Sequence, residues 1–194
     1  MVGMRELTYY IGVTLDGFIA GPADEVDFYP VTPAFAETLG TELADIQPAH
    51  VRAGRGGVDE PLTRFDTVVM GRRTFEPALQ AGITDPYSQL RTVVFSRSLD
   101  DPGEPNVELV RTDPVERVRE LKNEEGLGIY LAGGAVLAGV LLDEIDRLIV
   151  KKYPVIVGAG IPMARNEFSP THFALDQVRS FDNGCVVLEY SRLR

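Results

Sequence analysis

The stretch Val68-Val69-Met70-Gly71-Arg72-Arg73-Thr74 passes from an apolar run into a glycine, two arginines and a threonine. Phe65 to Met70 reads as a buried strand, Gly71 breaks it, and a helix starts over Thr74 to Leu79. A glycine at such a point lets a ligand approach the backbone without meeting a Cβ. Thr74 falls in the first helical turn, where unpaired N–H groups and the helix dipole attract phosphate. Arg72 and Arg73 add permanent charge on a planar fork of donors. The same residues also fit a plain strand end with solvated arginines, so the pattern gains weight from its company.

Two more strand ends supply that company. Arg91-Thr-Val-Val-Phe95 reads as a strand ending at Ser96-Arg97. A hydroxyl beside a guanidinium suits the ribose 2′-phosphate that separates NADPH from NADH, although a lone Ser-Arg pair is more often an exposed turn. Gly128-Ile-Tyr-Leu-Ala132 reads as a strand broken by Gly133-Gly134, ahead of a buried helix over Ala135 to Leu142. Paired glycines let the chain pass tightly beneath a pyrophosphate, or let a helix pack closely on a strand. Ligands of open α/β sheets sit beyond the carboxyl ends of parallel strands, so three such ends predict one shared site.

Working outward, Leu7 to Val13 reads as a strand, Asp16-Gly17 as a turn and Phe18 to Ala20 as a short extended return. Pro22 to Pro33 is loop. Phe35 to Ile46 carries apolar residues at helical spacing, with Thr32 as N-cap and Pro33 at the first position. His50 to Arg64 is polar, contains Gly54, Gly56 and Gly57, and reads as a mobile surface loop. Val107 to Val110 reads as a strand, and Pro114 to Lys122 as a helix capped by Asp113. Ile145 to Val157 holds a strand bent near Pro154. Phe173 to Phe181 and Cys185 to Tyr190 form a hairpin about Asp182-Asn183-Gly184. This alternation predicts an α/β fold with a mainly parallel central sheet, helices on both faces and an antiparallel C-terminal hairpin at one edge. The 194 residues suit one domain, and no linker divides them.

A formal net charge of −10 argues against nucleic acid or an anionic membrane as partner. Any anion site must then depend on locally clustered arginines. No apolar stretch has bilayer length, and the apolar run near Met1 is interrupted by Asp16, which predicts no signal peptide and a cytoplasmic location. The single cysteine, Cys185, excludes an intramolecular disulfide and a cysteine metal cluster, and reads as a buried, inert strand residue. His50 and His172 lie outside metal spacing, so no metal is expected. Gly126-x-Gly128 precedes its strand and Gly158-Ala-Gly160-Ile-Pro162 has no helix behind it, so neither is a dinucleotide fingerprint.

Thr14-Leu-Asp16-Gly17-Phe-Ile-Ala20, Met70-Gly71-Arg72-Arg73-Thr74-Phe75-Glu76, Ser96-Arg97 and Leu131-Ala-Gly133-Gly134-Ala135-Val-Leu137 occur in a specific order and spacing. With Leu141 to Leu148 and Pro154 to Pro162, they make the chain resemble the dihydrofolate reductase-like superfamily. Within it, the chain is most similar to the reductase domain of the bifunctional riboflavin-biosynthesis deaminase/reductase. The resemblance implies a dihydrofolate reductase-like fold, bound NADPH and reduction of a small heterocyclic substrate. In the riboflavin branch that substrate is the ribosyl group of an aminopyrimidine phosphate, and the enzyme is usually a homodimer. By position, Gly12 and Ile19 would meet the nicotinamide carboxamide through backbone atoms. Gly71, Arg72 and Thr74 would hold phosphates, Ser96 and Arg97 would lie near the 2′-phosphate, and Gly133, Gly134 and Ala135 would lie under the pyrophosphate and near the nicotinamide ribose. The zinc signature of a deaminase is absent, and the stretch from Pro33 to Arg64 is longer than in compact relatives.

Hydride transfer to a carbon–nitrogen or carbonyl bond asks the protein to position two rings and exclude water. Where a proton is also required, a carboxyl near the nicotinamide is the expected donor. Asp16, on the loop after the first strand, is the first candidate, although it equally opens an Asp-Gly turn. Asp27 is the second, with Asp24 in the same loop. The rival functions are a dihydrofolate or pterin reductase, a nucleotide-binding paralogue without turnover, and an interaction protein with an empty site.

Overall fold

In a computed structural model describing residues 4–57 and 60–193, an eight-stranded sheet carries helices on both faces. The strands are β1 (Leu7–Val13), β3 (Phe65–Gly71), β4 (Arg91–Phe95), β5 (Val107–Val110), β6 (Gly128–Gly133), β7 (Arg147–Lys152), β9 (Phe173–Ser180) and β10 (Val186–Arg192). They lie in the order β5-β4-β3-β6-β1-β7-β10-β9. All pairs from β5 to β7 are parallel, and β10 runs antiparallel to both β7 and β9. A small second sheet pairs β2 (Phe18–Ala20) with β8 (Ile161–Pro162).

The parallel strands are apolar on both sides because both of their faces are covered. Leu7, Tyr9, Val69, Val93 and Leu131 pack against Val118 and Leu121 of α4 (Pro114–Asn123) and Leu137 and Ala138 of α5 (Ala135–Val140). On the other face Tyr10, Val68, Met70, Val94 and Ile149 pack against Phe35 and Leu39 of α1 (Pro33–Glu42) and Phe75 of α3 (Arg72–Gln80). Local chemistry sets the helix starts: the Thr32 hydroxyl accepts from the Phe35 amide, the Asp113 carboxylate accepts from the Val115 amide, and a proline follows each cap.

Four expectations are corrected. The helix expected over Phe35 to Ile46 ends at Glu42 and resumes as a single 3₁₀ turn over Ala44–Ile46. That break delivers the Asp45 carboxylate, 3% exposed, to the amides of Thr63, Arg64 and Phe65 at 3.0, 2.6 and 3.0 Å. The expected surface loop from His50 contains helix α2 (Ala49–Gly54) instead; residues 58 and 59 of that stretch lie outside the described residues. Arg52 on α2 is buried, donates to the carbonyls of Gly57, Ala44 and Glu60, and lies 3.9 Å from Asp45, so a polar sequence is tied down by one guanidinium. Helix α3 starts at Arg72, which makes Gly71 its cap and places both arginines in the first turn. Helix α5 stops at Val140 and is not wholly buried, since Val136 and Val140 are 62% and 48% exposed.

Cys185 is buried as expected but sits just ahead of β10, where its carbonyl closes the hairpin by accepting from Phe181. Asp45→Ala removes the acceptor of three amides and the partner of a buried guanidinium. The expected loss is about 3–5 kcal/mol in urea unfolding, and a loss below ~1 kcal/mol would show that Asp45 does not anchor this segment.

Candidate functional site

The order β5-β4-β3-β6 sets four parallel strands side by side, so their carboxyl ends emerge on one edge of the sheet. A cleft of about 780 Å³ runs along that edge. Of the expected site residues, it is lined by Ile19, Gly71, Arg72, Arg73, Thr74, Ser96, Arg97, Gly134 and Ala135. The three turns singled out in the sequence therefore share one wall.

Two glycine turns at the cleft face each other, with Gly71 and Gly134 in its lining and Gly133 just outside it. A Cβ on Gly71 would lie 3.9 Å from the Gly133 carbonyl oxygen and the Gly134 nitrogen, and a Cβ on Gly134 would lie 3.5 Å from the Thr74 hydroxyl. Gly133 has φ +110°, a conformation that side chains rarely adopt, and the Gly133-Gly134 peptide bond is cis. No side chain caps α3 at Gly71, and its first turn holds no acid, so its leading N–H groups and dipole are open to an anion.

Five arginines line the cleft, Arg72, Arg73, Arg97, Arg111 and Arg165, against two acids, Asp24 and Asp113. This local excess of positive charge stands on a chain of net charge −10. Asp24 pairs with Arg73 at 2.5 Å, and Asp113 is occupied as the cap of α4. Arg72 is steered by Glu76 at 3.5 Å and donates to the Ser98 hydroxyl at 3.1 Å. The Ser96 hydroxyl accepts from the amides of Ser98 and Leu99 at 3.2 and 2.9 Å, which leaves its own proton to be donated outward. Arg111 donates to the carbonyls of Arg97 and Leu99 at 3.0 and 2.8 Å, and so clamps the turn that carries Ser96 and Arg97.

Arg111, Thr112, Val136, Val140, Ile161 and Arg165 also line the cleft and were not assigned to the site from the sequence. Arg111 to Pro114 follow the short strand β5, and the rule applied to the other strand ends would have found them. Val136, Val140 and Ile161 form an apolar wall with Ile19 and Ala20. Arg165 and Ile161 arrive from a segment distant in sequence, held over α5 by the Arg165 amide on the Ala135 carbonyl at 2.8 Å.

Gly12 lies outside the cleft lining, and a side-chain hydroxyl occupies its carbonyl. Tyr29 Oη lies 3.2 Å from the Gly12 carbonyl, 3.2 Å from that of Phe18 and 3.0 Å from that of Ile19. Burial pushes the Tyr29 phenol up to about 12, so it stays a neutral donor. The two candidate proton donors are also outside the lining. Asp27 is exposed on a turn. Asp16 is exposed, and its carboxylate accepts from the Thr14 hydroxyl at 2.6 Å and from the amides of Gly158 and Val157 at 2.8 and 3.3 Å. Those donors, the Thr14 hydroxyl first, hold its carboxyl below the ordinary range. Asp16 thus braces the 156–158 turn, and Asp24 is the acid of this loop that reaches the cleft.

Residues 5–187 match the model of the RibD C-terminal domain. The chain belongs to that family. It is 28% identical over 190 residues to the uncharacterized protein YwjB of Bacillus subtilis strain 168, covering 97% of this chain and 98% of that one. It is 24% identical over 199 residues to YyaP of the same organism, covering 96% and 94%. Among solved structures, it superposes on a putative riboflavin biosynthesis protein from Shewanella sp. PV-4 with a TM-score of 0.71 at 22% identity, covering 98% of this chain and 100% of the other. The deaminase/reductase of Thermotoga maritima gives 0.67 at 17% identity, with 98% of this chain spanning 57% of that longer protein. Dihydrofolate reductase from Enterococcus faecalis, complexed with NADP(H) and RAB-propyl, gives 0.65 at 16% identity over the full length of both chains. The structural likenesses show a dihydrofolate reductase-like fold. Among the described residues, no helix is long and apolar enough to cross a membrane.

Asp16→Ala removes the acceptor for the Val157 and Gly158 amides. Their hydrogen exchange is expected to accelerate, while amides in β3 and β6 keep their protection. Unchanged exchange at both residues would refute the bracing role.

Proposed function

We propose that this chain is an NADPH-dependent reductase of a small heterocyclic compound. The observation that carries the reading is the facing pair of glycine turns, Gly71 and Gly133-Gly134, set among five arginines. Two backbones open toward each other across a positively charged groove fit a doubly phosphorylated nucleotide, which needs close approach and charge together.

In this reading the first turn of α3 and Thr74 hold one phosphate, and Gly134 with Ala135 lies under the pyrophosphate. The Ser96 hydroxyl, Arg97 and Arg111 take the 2′-phosphate. The bound cofactor would supply the hydride. The protein's share is to orient the two rings and to exclude water, for which Ile19, Ala20 and Ile161 provide an apolar wall. The first substrate to test is the one named for the Thermotoga reductase, 5-amino-6-(5-phosphoribosylamino)uracil. Leu175 and Val178, each 53% exposed on the edge strand β9, support pairing of two copies of the chain.

The test is a fluorescence titration with NADPH and NADH, followed by NADPH oxidation on aminopyrimidines and pterins. Arg97→Ala is expected to weaken NADPH by about 1.5–3 kcal/mol, roughly 10- to 150-fold, and NADH by far less. Arg111→Ala should show the same preference. Equal losses for the two nucleotides would remove both residues from the 2′-phosphate role, and no binding of either would end the reductase reading.

A further inference from the structure

Four of the five arginines of the cleft belong to its strand ends. Arg72 and Arg73 stand in the first turn of α3, and Arg97 and Arg111 follow β4 and β5. Arg165 comes from elsewhere, from the segment after β8. Arg73 is paired with Asp24, Arg72 with Glu76, and Arg111 with two carbonyls. Among the described residues the Arg165 guanidinium has neither a carboxylate nor another acceptor.

A tightly tied strap, residues 161–165, brings Arg165 to the cleft. Ile161 and Pro162 pair with Ala20 and Phe18. The Met163 amide donates to the Gly17 carbonyl at 3.1 Å, and the Met163 carbonyl accepts from the Tyr9 hydroxyl at 2.8 Å. The Arg165 amide donates to the Ala135 carbonyl at 2.8 Å. Two glycines make room for this path: a Cβ on Gly160 would overlap the Ala20 carbonyl, and one on Gly139 would overlap the Arg165 carbonyl. Backbone groups and one buried phenol make all of these contacts, so the fold sets the position of Arg165 and leaves its side chain free.

The wall of the cleft at that position lacks charge of its own. Val136, Val140 and Ile161 make it apolar, and Arg165 is its one charged side chain among the described residues. Helix α5 has six residues, so its dipole adds little. Gly134, without a Cβ, admits a close anionic group, but a group with two negative charges also needs a cation. Arg97 sits at the end of β4, two strands from the β6 that leads into α5, about 10 Å across the sheet. Arg97 and Arg165 therefore bracket the cleft. The apolar lining beside Arg165 strengthens any charge-assisted bond that it makes there.

We propose that Arg165 is the cation that neutralises the pyrophosphate on the α5 side of the cleft, opposite the first turn of α3. This rests on the nucleotide reading above and adds a rule of selection to it. The two ends of the cleft read different parts of the ligand. Ser96, Arg97 and Arg111 answer to a phosphate on the ribose. Arg165 answers to the diphosphate bridge and is indifferent to the 2′ position. Its planar fork can donate two parallel bonds to neighbouring phosphoryl oxygens. A guanidinium keeps its charge at every working pH, so this contribution does not titrate near neutrality. Because the strap is fixed before a ligand arrives, binding orders one side chain and no backbone.

Arginine modification by phenylglyoxal, read by mass spectrometry at Arg165 in the intact protein, tests the assignment without turnover. NADPH, NADH, ADP-ribose and adenosine 2′-monophosphate are compared, with binding followed by fluorescence or by displacement of NADPH. Arg165 is expected to react several-fold more slowly with NADPH, NADH or ADP-ribose bound, and at its free rate with adenosine 2′-monophosphate, which has no pyrophosphate. Arg165→Ala should weaken NADPH and NADH by the same factor, about 10- to 100-fold, and adenosine 2′-monophosphate by less than about 2-fold. Arg165→Lys keeps the charge without the fork and should recover part of the loss. Both variants should unfold at the urea midpoint of the parent, since the side chain is exposed and unpaired. Bound NADPH with Arg165 as reactive as in the free protein, or full NADPH affinity in Arg165→Ala, overturns the inference and leaves the cofactor reading intact. A loss for adenosine 2′-monophosphate as large as that for NADH also overturns it, because Arg165 would then act only as general positive charge. Absence of binding by NADPH and NADH overturns both.

Discussion

The parallel hydrogen-bond ladder from β5 through β7 is the constraint on which the rest depends. Parallel strands need crossovers, the crossovers cover both faces with helices, and every strand then points the same way. Val69 of β3 has Val93 on one side and Leu131 on the other, and Leu131 is also beside Tyr9. This register brings the turns at Gly71, Ser96 and Gly133, far apart in sequence, to one edge. A slip of one residue in any of these pairings would exchange the two faces of that strand and separate the glycine turns.

The two edges of the sheet treat charge in opposite ways. At the amino-terminal edge, cations are buried and satisfied: Arg5 donates to Asp66, Thr67 and two carbonyls, and Lys122 pairs with Asp146, which also accepts from the Leu7 amide. Those contacts pin the strand starts. At the carboxyl-terminal edge, Arg97, Arg111 and Arg165 are exposed and line the cleft, with the acids there committed to Arg73 and to the cap of α4. An acidic protein thus keeps one positively charged groove by spending its carboxylates elsewhere.

The sheet face that α1 covers is aromatic. Tyr29 gathers three carbonyls from β1 and β2, Tyr153 packs between it and Gly12, and Phe35 meets the rings of Tyr153 and Phe181. This aromatic wall lowers the local dielectric, which raises the phenols and the Cys185 thiol and lowers the Lys151 ammonium. The break in the helix at Leu43 and the buried Arg52 and Asp45 tie down the segment from Pro33 to Arg64, which acts as a structural brace.

Period and punctuation alone determined the strands of the eight-stranded sheet, the caps at Thr32 and Asp113, the terminal hairpin and the three strand ends, because each of these is a local property of neighbouring residues; the short β8 escaped them. Local pattern misread the segment after His50, where polarity hid a buried guanidinium, and it did not reveal that the Asp16 carboxylate also captures amides from residues 157 and 158. It was silent on Arg111 and Arg165 as cleft residues. Whether a charged side chain is paired depends on which acids the fold brings within reach, and only the tertiary structure decides that: it gave Lys122 two nearby carboxylates and Lys151 an aromatic ring.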